Sequence, residues 1–202
     1  MSSDQQKFWA GDFGNEYIKR NESPELLASN LNFFSRIFAG NSIIPKSFIE
    51  FGANIGMNAR ALKLLFPNSR FVGVEINEQA CKALREVADQ AILGAFETVD
   101  IKEKYDVSFS KGVLIHLNPN SLEIAYDQLY SSSNRLILLA EYYNPVPTSI
   151  PYRGYEEKLF KRDFAGEFMD RFKDVRLVNY GFSYHKDIFP QDDITWFLLE
   201  KK

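Results

Sequence analysis

The residues best suited to chemistry lie in a glycine-containing segment that follows a short apolar run. Segment 50–58 reads EFGANIGMN. Glycines directly after a strand let a ligand approach the backbone, as in the G-x-G-x-x-G turn that holds the pyrophosphate of a dinucleotide. Here Asn54, a residue type that tolerates left-handed backbone, replaces the second glycine, and Gly56 comes one residue early. The segment therefore fits NAD poorly. It is predicted to be a turn that another ligand approaches, and the alternative is a glycine turn used only for packing.

A carboxylate closes the next predicted strand. Glu75 follows the apolar run 71–74. At the end of the second strand of a doubly wound sheet, a carboxylate can accept hydrogen bonds from both hydroxyls of a ribose. Such bonds to a charged group contribute roughly 1.5–3 kcal/mol each. The glycine turn and Glu75 together predict a cofactor that contains adenosine.

Candidate acid–base groups follow the later strands. The chain has 2 histidines, and imidazole is the side chain that titrates closest to neutral pH. His116 is predicted to act as a general base, with ordering of the cofactor loop as the alternative. His185 is predicted to contact the substrate, or else to be an exposed loop residue. Tyr142 and Tyr143 end the fifth predicted strand, where Tyr142 is predicted to line the substrate pocket. Tyr143 can orient or deprotonate a substrate, with pocket lining as the alternative.

Apolar runs alternate with segments of helical spacing along most of the chain. Strands are predicted at 47–51, 70–74, 91–93, 105–109 and 135–140. Helices are predicted after the N-cap residues Ser23, Asn77 and Asp163, the first ending at Gly40, and also over 55–66 and 121–130. Strands separated by single helices imply parallel crossovers. The predicted fold is therefore α/β, a doubly wound, Rossmann-like sheet with helices on both faces.

Two segments near the end of the chain break this alternation. Runs 175–184 and 194–200 lie too close together for a crossover helix, so they are predicted to pair as a hairpin whose last strand is antiparallel. Residues 142–162 contain three prolines and no clean periodicity, and they are predicted to form a lid loop over the substrate. Arg153 and Arg162 in this loop are candidates to bind an anionic substrate, with solvated surface charge as the alternative.

Composition limits the class of protein. The 202 residues carry 24 Lys+Arg and 27 Asp+Glu, a formal net charge of -3, which predicts one soluble domain over 1–202 without the clustered basic surface that nucleic acid requires. The single cysteine, Cys81, excludes an internal disulfide and any zinc site that needs two thiolates, and it favours a reducing, cytoplasmic setting. Neither a leader segment nor a membrane span is predicted. No metal site is predicted, although His185 and three nearby aspartates form a loose group. The oligomeric state is left open.

Segments 50–58 and 106–117, together with Glu75, resemble class I S-adenosylmethionine-dependent methyltransferases. The second segment reads DVSFSKGVLIHL, and the resemblance covers nearly the whole chain. It implies a seven-stranded sheet with an antiparallel last strand, S-adenosylmethionine as the cofactor and S-adenosylhomocysteine as the product. The cofactor-binding residues it implies are Gly52, Asn54 and Gly56 beside the methionine and ribose, Glu75 at the ribose, Ile76 at the adenine, Ala95 and Phe96 at the adenine edge, and Ser110, Lys111 and Gly112 beside the sulfonium.

A narrower resemblance lies in residues 8–21, which read FWAGDFGNEYIKRN. They are similar to the opening signature of methyltransferases associated with pseudaminic acid biosynthesis, a bacterial nonulosonic sugar pathway. This similarity implies that a sugar, a sugar nucleotide or a surface-glycan intermediate accepts the methyl group.

The residue types of this segment also suit a site. Residues 1–40 are predicted to form a helical cap in which Trp9, Phe13 and Tyr17 cover the pocket, with simple docking of the segment on the domain as the alternative. Trp9 and Phe13 are assigned to the acceptor and Tyr17 to the cofactor. Arg20 offers a guanidinium fork for the cofactor carboxylate, with a solvated charge as the alternative.

Three classes of function therefore compete. A methyltransferase acting on a small molecule accounts for the turn, the acid and the lid. A nicotinamide-dependent oxidoreductase is the alternative enzyme, although the early third glycine opposes it. A non-catalytic module that uses the same fold to bind a partner is the third.

Overall fold

A computed structural model describes residues 3–18, 23–39 and 44–202. The helices are α1 (Asp4–Ala10), α2 (Asp12–Ile18), α3 (Pro24–Phe38), α4 (Met57–Leu65), α5 (Glu78–Leu84), α6 (Leu122–Ser131) and α7 (Phe164–Arg171). The strands are β1 (Ser47–Phe51), β2 (Arg70–Glu75), β3 (Gln90–Leu93), β4 (Tyr105–Lys111), β5 (Ser133–Glu141), β6 (Thr148–Tyr152), β7 (Tyr155–Lys161), β8 (Val175–Ser183) and β9 (Ile194–Lys201).

Seven strands form one sheet in the order β3-β2-β1-β4-β5-β9-β8. Strands β1 to β5 pair in parallel, whereas β9 pairs antiparallel with both β5 and β8. The predicted doubly wound sheet with an antiparallel last strand is confirmed. Strand β1 pairs with β2 on one side and with β4 on the other, so the strand order reverses there. In such sheets the ligand lies at the carboxyl ends of the strands beside that reversal.

Helices cover both faces of the sheet because strand side chains alternate between two apolar cores. On β1, Ile49 and Phe51 belong to the core under α6 and α7, and Phe48 belongs to the core under α3 and α4. All three are fully buried. Burial of each such side chain contributes roughly 1.5–3 kcal/mol.

Side chains cap three helices where the sequence predicts it. The side chains of Ser23, Asn77 and Asp163 accept hydrogen bonds from backbone N–H groups in the first turns of α3, α5 and α7. The predicted stop at Gly40 lies outside the described residues.

Residues 142–162 do not form the irregular loop that the prolines predict. Strands β6 and β7 pair as an antiparallel hairpin with Arg153 and Gly154 at its turn, so that prediction is wrong. Pro151 lies inside β6 at the point where the register between Ile150 and Tyr152 shifts. A proline lacks an N–H donor, and an irregular position in a two-stranded sheet tolerates that loss. Whether the hairpin acts as a lid stays a prediction.

Candidate active site

The turn between β1 and α4 has an unusual backbone. Gly52, Asn54 and Gly56 have φ values of 80°, 48° and 84°, all in the left-handed region. A Cβ atom on Gly52 would lie 2.4 Å from Cγ2 of Val113. The turn therefore requires glycine at position 52, while Asn54 occupies a conformation that asparagine tolerates. Gly52 and Asn54 line a cavity at the carboxyl end of β1.

The Glu75 carboxylate is held beside this turn by two backbone donors. Oε2 accepts a hydrogen bond from Asn54 N at 2.7 Å, and Oε1 accepts one from Asn77 N at 2.8 Å. The residue is buried, and burial raises the pKa of its carboxyl although these N–H groups oppose the rise. Each carboxylate oxygen keeps a further acceptor position. The geometry suits two hydroxyl donors on adjacent carbons.

The segment between β2 and α5, which carries Asn77, anchors the N-terminal helices. The Asn77 Nδ2 donates to Asn15 Oδ1 at 2.9 Å and to the Trp9 carbonyl at 3.3 Å. Gly14 lies against this contact, since a Cβ there would come within 1.9 Å of the Trp9 carbonyl oxygen and 2.8 Å of Asn77 Nδ2. Helices α1 and α2 therefore form a cap that docks through backbone contacts. Sequence reasoning missed Gly14, although a glycine inside segment 8–21 is a signal for close approach.

Two glutamine side chains fix α1 to the rest of the site. Gln6 Nε2 donates to Glu97 Oε2 at 3.1 Å, and Gln5 Nε2 donates to the Glu157 carbonyl at 3.3 Å. The first bond ties α1 to the segment after β3, and the second ties it to β7. The cap therefore joins the domain and the hairpin above one cavity.

The cavity has a volume of about 270 Å³ and opens at the carboxyl ends of β1, β2 and β4. It brings together most of the residues that the sequence assigns to the cofactor, two of those assigned to the acceptor, and His116. The predicted site residues that line it are Trp9, Tyr17, Gly52, Asn54, Glu75, Ile76, Phe96, Lys111, Gly112, His116 and Tyr142.

Four predicted residues lie next to the cavity without lining it. Phe13 stacks on Phe8 at 4.1 Å in the outer layer of the cap. Ser110 is fully buried, and its hydroxyl donates to Glu141. Gly56 ends the turn under α5, and Ala95 lies one residue before the lining residue Phe96.

The remaining predicted residues lie elsewhere. Arg162 pairs with Glu167 at 2.6 Å. Arg153 lies over the ring of Tyr152 at the hairpin turn. Tyr143 is 43% exposed. His185 pairs with Asp193 at 2.9 Å on the surface. Arg20 lies outside the described residues.

Sequence reasoning missed a buried polar pair beside the cavity, of which Asn58 lines the cavity and Glu50 does not. The Asn58 Nδ2 donates to Glu50 Oε1 at 2.5 Å, and Glu50 is fully buried. Within the described chain, Glu50 Oε2 and Asn58 Oδ1 are buried without a hydrogen-bond partner. Burial raises the pKa of the Glu50 carboxyl to about 8. This pair is therefore buried, protonated on Glu50 at pH 7 and incompletely hydrogen-bonded. The sequence signal for this pair was Glu50, an acid that stands just before the glycine turn.

Lys111 lies close to this group. Its Nζ donates to Asn30 Oδ1 at 3.3 Å, and Gln191 Nε2 donates to the same oxygen at 3.1 Å. Burial lowers the pKa of the ammonium, although the nearby carboxylates of Glu50 and Asp192 oppose the shift. The ammonium is therefore already engaged inside the protein.

His116 is held in one tautomer by the hairpin. Its Nδ1 lies 2.7 Å from the Lys158 carbonyl oxygen. A carbonyl only accepts, so Nδ1 carries the proton and Nε2 has the free lone pair. Burial lowers the pKa of the imidazole to about 4, which keeps the ring neutral at pH 7. The ring centroid lies 4.6 Å from that of Trp9 and 4.9 Å from that of Tyr152.

The loop that carries His116 is supported by Glu141 at the end of β5. Glu141 Oε1 accepts from Ser110 Oγ at 2.7 Å and from the backbone N–H groups of Val113 and Leu114 at 3.2 Å. The carboxylate is buried, and burial raises its pKa to about 7. This support connects β4, β5 and the turn that precedes His116.

The described residues contain neither a cluster of metal ligands nor a membrane-spanning helix. Over residues 3–18, 23–39 and 44–202, no three His, Cys, Asp or Glu side chains come together as metal ligands. Among the helices of those ranges, none is long and apolar enough to cross a membrane.

Solved structures with the same architecture are methyltransferases. Mitomycin 7-O-methyltransferase MmcR matches with a TM-score of 0.71 and 12% identity over 99% of this chain and 61% of its own. Magnesium protoporphyrin IX methyltransferase from Synechocystis, with bound S-adenosylmethionine, matches with a TM-score of 0.70 and 12% identity over 100% of this chain and 99% of its own. An S-adenosylmethionine-dependent methyltransferase from Leishmania major matches with a TM-score of 0.71 and 16% identity over 100% and 87%. The chain has the methyltransferase fold.

The match to the mitomycin enzyme is partial, because this chain spans 61% of its length. No protein-family model matches the sequence, and no curated protein does. The resemblance of residues 8–21 to methyltransferases associated with pseudaminic acid biosynthesis therefore stays a prediction.

Proposed function

We propose that the chain binds S-adenosylmethionine and transfers its methyl group to a small-molecule acceptor. The observation that carries the proposal is the Glu75 carboxylate, which two backbone N–H groups fix beside a left-handed glycine turn at the reversal of strand order. A ribose presents two adjacent hydroxyl donors that match this carboxylate.

The cavity also suits the two ends of the cofactor. Ile76 and Phe96 line the cavity near Glu75 and offer apolar surface to an adenine. Asn58 lines the cavity near the glycine turn, and its unpartnered Oδ1 suits the ammonium group of a methionine; Glu50, to which Asn58 Nδ2 donates, adds negative charge next to this point. The predicted contact of the methionine carboxylate with Arg20 stays a prediction.

When bound, the cofactor supplies an electrophilic methyl group on a sulfonium. The chain has to hold the acceptor in line with that group and exclude water. Trp9 and Tyr17 of the cap line the cavity from above, and Tyr152 of the hairpin lines it beside His116. The acceptor group becomes more acidic as it takes up the methyl group, and the neutral His116 ring can then accept its proton at Nε2.

The nature of the acceptor is less constrained. A sugar or sugar nucleotide stays a prediction, and the residues predicted to bind an anion do not support it directly. Arg162 pairs with Glu167, and Arg153 lies outside the cavity lining. The described lining favours an acceptor without a phosphate.

Calorimetric titration with S-adenosylhomocysteine tests the cofactor. We expect Glu75→Ala to weaken binding at least tenfold, about 1.4 kcal/mol. Glu78→Ala, which changes an exposed acid three residues away, is the matched control and should bind like the wild type. NADH should not bind. If the wild-type protein binds NADH, or fails to bind S-adenosylhomocysteine, the proposal is wrong.

A further inference from the structure

Two neighbouring rings of the cavity leave one donor and one acceptor unused. Trp9 and His116 both line the cavity, and their ring centroids are 4.6 Å apart. In the described part of the chain, Trp9 Nε1 is buried without a hydrogen-bond partner. The Lys158 carbonyl engages His116 at Nδ1, so Nε2 is the nitrogen left for a ligand.

This pair restricts the group that it can hold. The indole N–H only donates, and a neutral imidazole nitrogen only accepts. An ammonium cannot accept from Trp9, and a carboxylate, a phosphate dianion or an ether cannot donate to His116. A neutral amine has one lone pair, which is lost to methyl transfer if it accepts the Trp9 N–H. A hydroxyl has one proton and two lone pairs, so it can satisfy both rings and still attack a methyl group.

The surroundings of the pair indicate the body of the molecule. The Tyr152 ring lies 4.9 Å from His116 and 6.4 Å from Trp9, and the Tyr17 ring lies 5.4 Å from Trp9. Flat aromatic walls suit a planar ring.

The charged residues that line the cavity also favour an acceptor without a negative charge. Among the described lining residues the one cation is Lys111, which already donates to Asn30, whereas Glu75, Glu97 and Asp192 are carboxylates. An anionic acceptor would therefore meet a surplus of negative charge.

We propose that the acceptor is an aromatic hydroxyl compound whose O–H group lies between Trp9 Nε1 and His116 Nε2. This inference rests on the proposed function. In the reaction, a lone pair of the hydroxyl oxygen forms the new C–O bond as the C–S bond breaks, and the electron pair of that bond stays on sulfur. The hydroxyl proton passes to His116 Nε2 and then to solvent. The products are a methyl ether and S-adenosylhomocysteine.

Binding of phenol to the protein saturated with S-adenosylhomocysteine tests the inference without any turnover. The matched probes are anisole, which cannot donate, and benzoate, which is an anion. The chain has 2 tryptophans and 2 histidines, so ¹⁵N NMR resolves each ring. Phenol should shift the Trp9 indole and His116 Nε2 signals, while those of Trp196 and His185 stay fixed. Anisole should bind roughly threefold to tenfold more weakly, the effect of one hydrogen bond.

Two variants assign the contacts. His116→Phe should bind phenol and anisole equally, and Trp9→Phe should weaken both by a similar factor. The wild-type comparison needs neither variant to fold. Phenol that shifts neither ring signal, anisole that binds as tightly as phenol, or benzoate that binds more tightly would each overturn the inference. Loss of S-adenosylhomocysteine binding by the wild type would instead refute the proposed function.

Discussion

Protonation of Glu50 should be coupled to cofactor binding. The pKa of this fully buried carboxyl is raised to about 8, so the protonated form predominates in the free protein at pH 7. An ammonium group bound at Asn58, next to Glu50, favours the ionised carboxylate. Binding at pH 7 should therefore release a proton from this site. Affinity should rise as the pH rises towards 8, by up to about tenfold per pH unit, and level off above that.

Calorimetric titration with S-adenosylhomocysteine in phosphate and in Tris measures this proton directly. The two buffers differ in ionisation enthalpy, and the difference in observed heat gives the number of protons released. The charged groups that face Glu50 are Lys111 and Glu75, and Glu50→Gln leaves both unchanged. We expect this variant to bind more weakly and to lose the proton release assigned to position 50. Equal heats in both buffers for the wild type, or an affinity that falls between pH 6 and pH 8, would refute the reasoning.

Two further predictions concern residues that support the site. Asn77→Ser keeps an N-cap for α5 but removes the donor to Asn15. It should therefore weaken S-adenosylhomocysteine binding several-fold with little change in the urea midpoint. Asn77→Ala removes the N-cap as well, so it should lose the same affinity and also about 1 kcal/mol of stability. If Asn77→Ser binds S-adenosylhomocysteine like the wild type in calorimetry, the hydrogen bond from Asn77 to Asn15 has no role in cofactor binding. Glu141→Ala should cost about 1–3 kcal/mol in urea unfolding, because Ser110 Oγ and the backbone N–H groups of Val113 and Leu114 then lose their acceptor. In the folded wild type the pKa of the Glu141 carboxyl is raised to about 7 from an ordinary 4.5. The contribution of this group to stability is therefore present below pH 4.5 and is lost as the pH rises to 7. The variant should lack this pH dependence, and a pH profile of stability like that of the wild type would contradict the assignment.

The order of the elements was predictable because local pattern and tertiary pairing agree. The apolar runs 47–51 and 70–74 are separated by a segment with helical spacing, and the structure places the two runs on β1 and β2. The terminal hairpin followed from the short distance between its two runs, and β8 and β9 pair as expected. The hairpin β6–β7 was not predictable in this way. Pro151 opposes a strand locally, and only the register shift beside it makes the strand possible.

Site residues were predictable where one turn positions them and not where distant segments meet. Gly52 and Glu75 follow directly from strand ends, and both line the cavity. Arg162 looked free in the sequence, but Glu167 on the next helix neutralises it. The contact of Gln6 with Glu97 joins residues 91 positions apart, so no local pattern indicates it.

Asn77 shows why the two halves of the site depend on each other. Its backbone N–H donates to Glu75 Oε1, and its side chain donates to Asn15 and to the Trp9 carbonyl. The residue that orients the carboxylate proposed to hold a ribose therefore also positions the ring proposed to hold the acceptor. A shift of the cap would move the Trp9 indole relative to His116, which β7 holds through Lys158. The cap is tied both to Asn77 and, through Gln5 and the Glu157 carbonyl, to β7, so one connected set of contacts positions the donor and the acceptor of the proposed hydroxyl site.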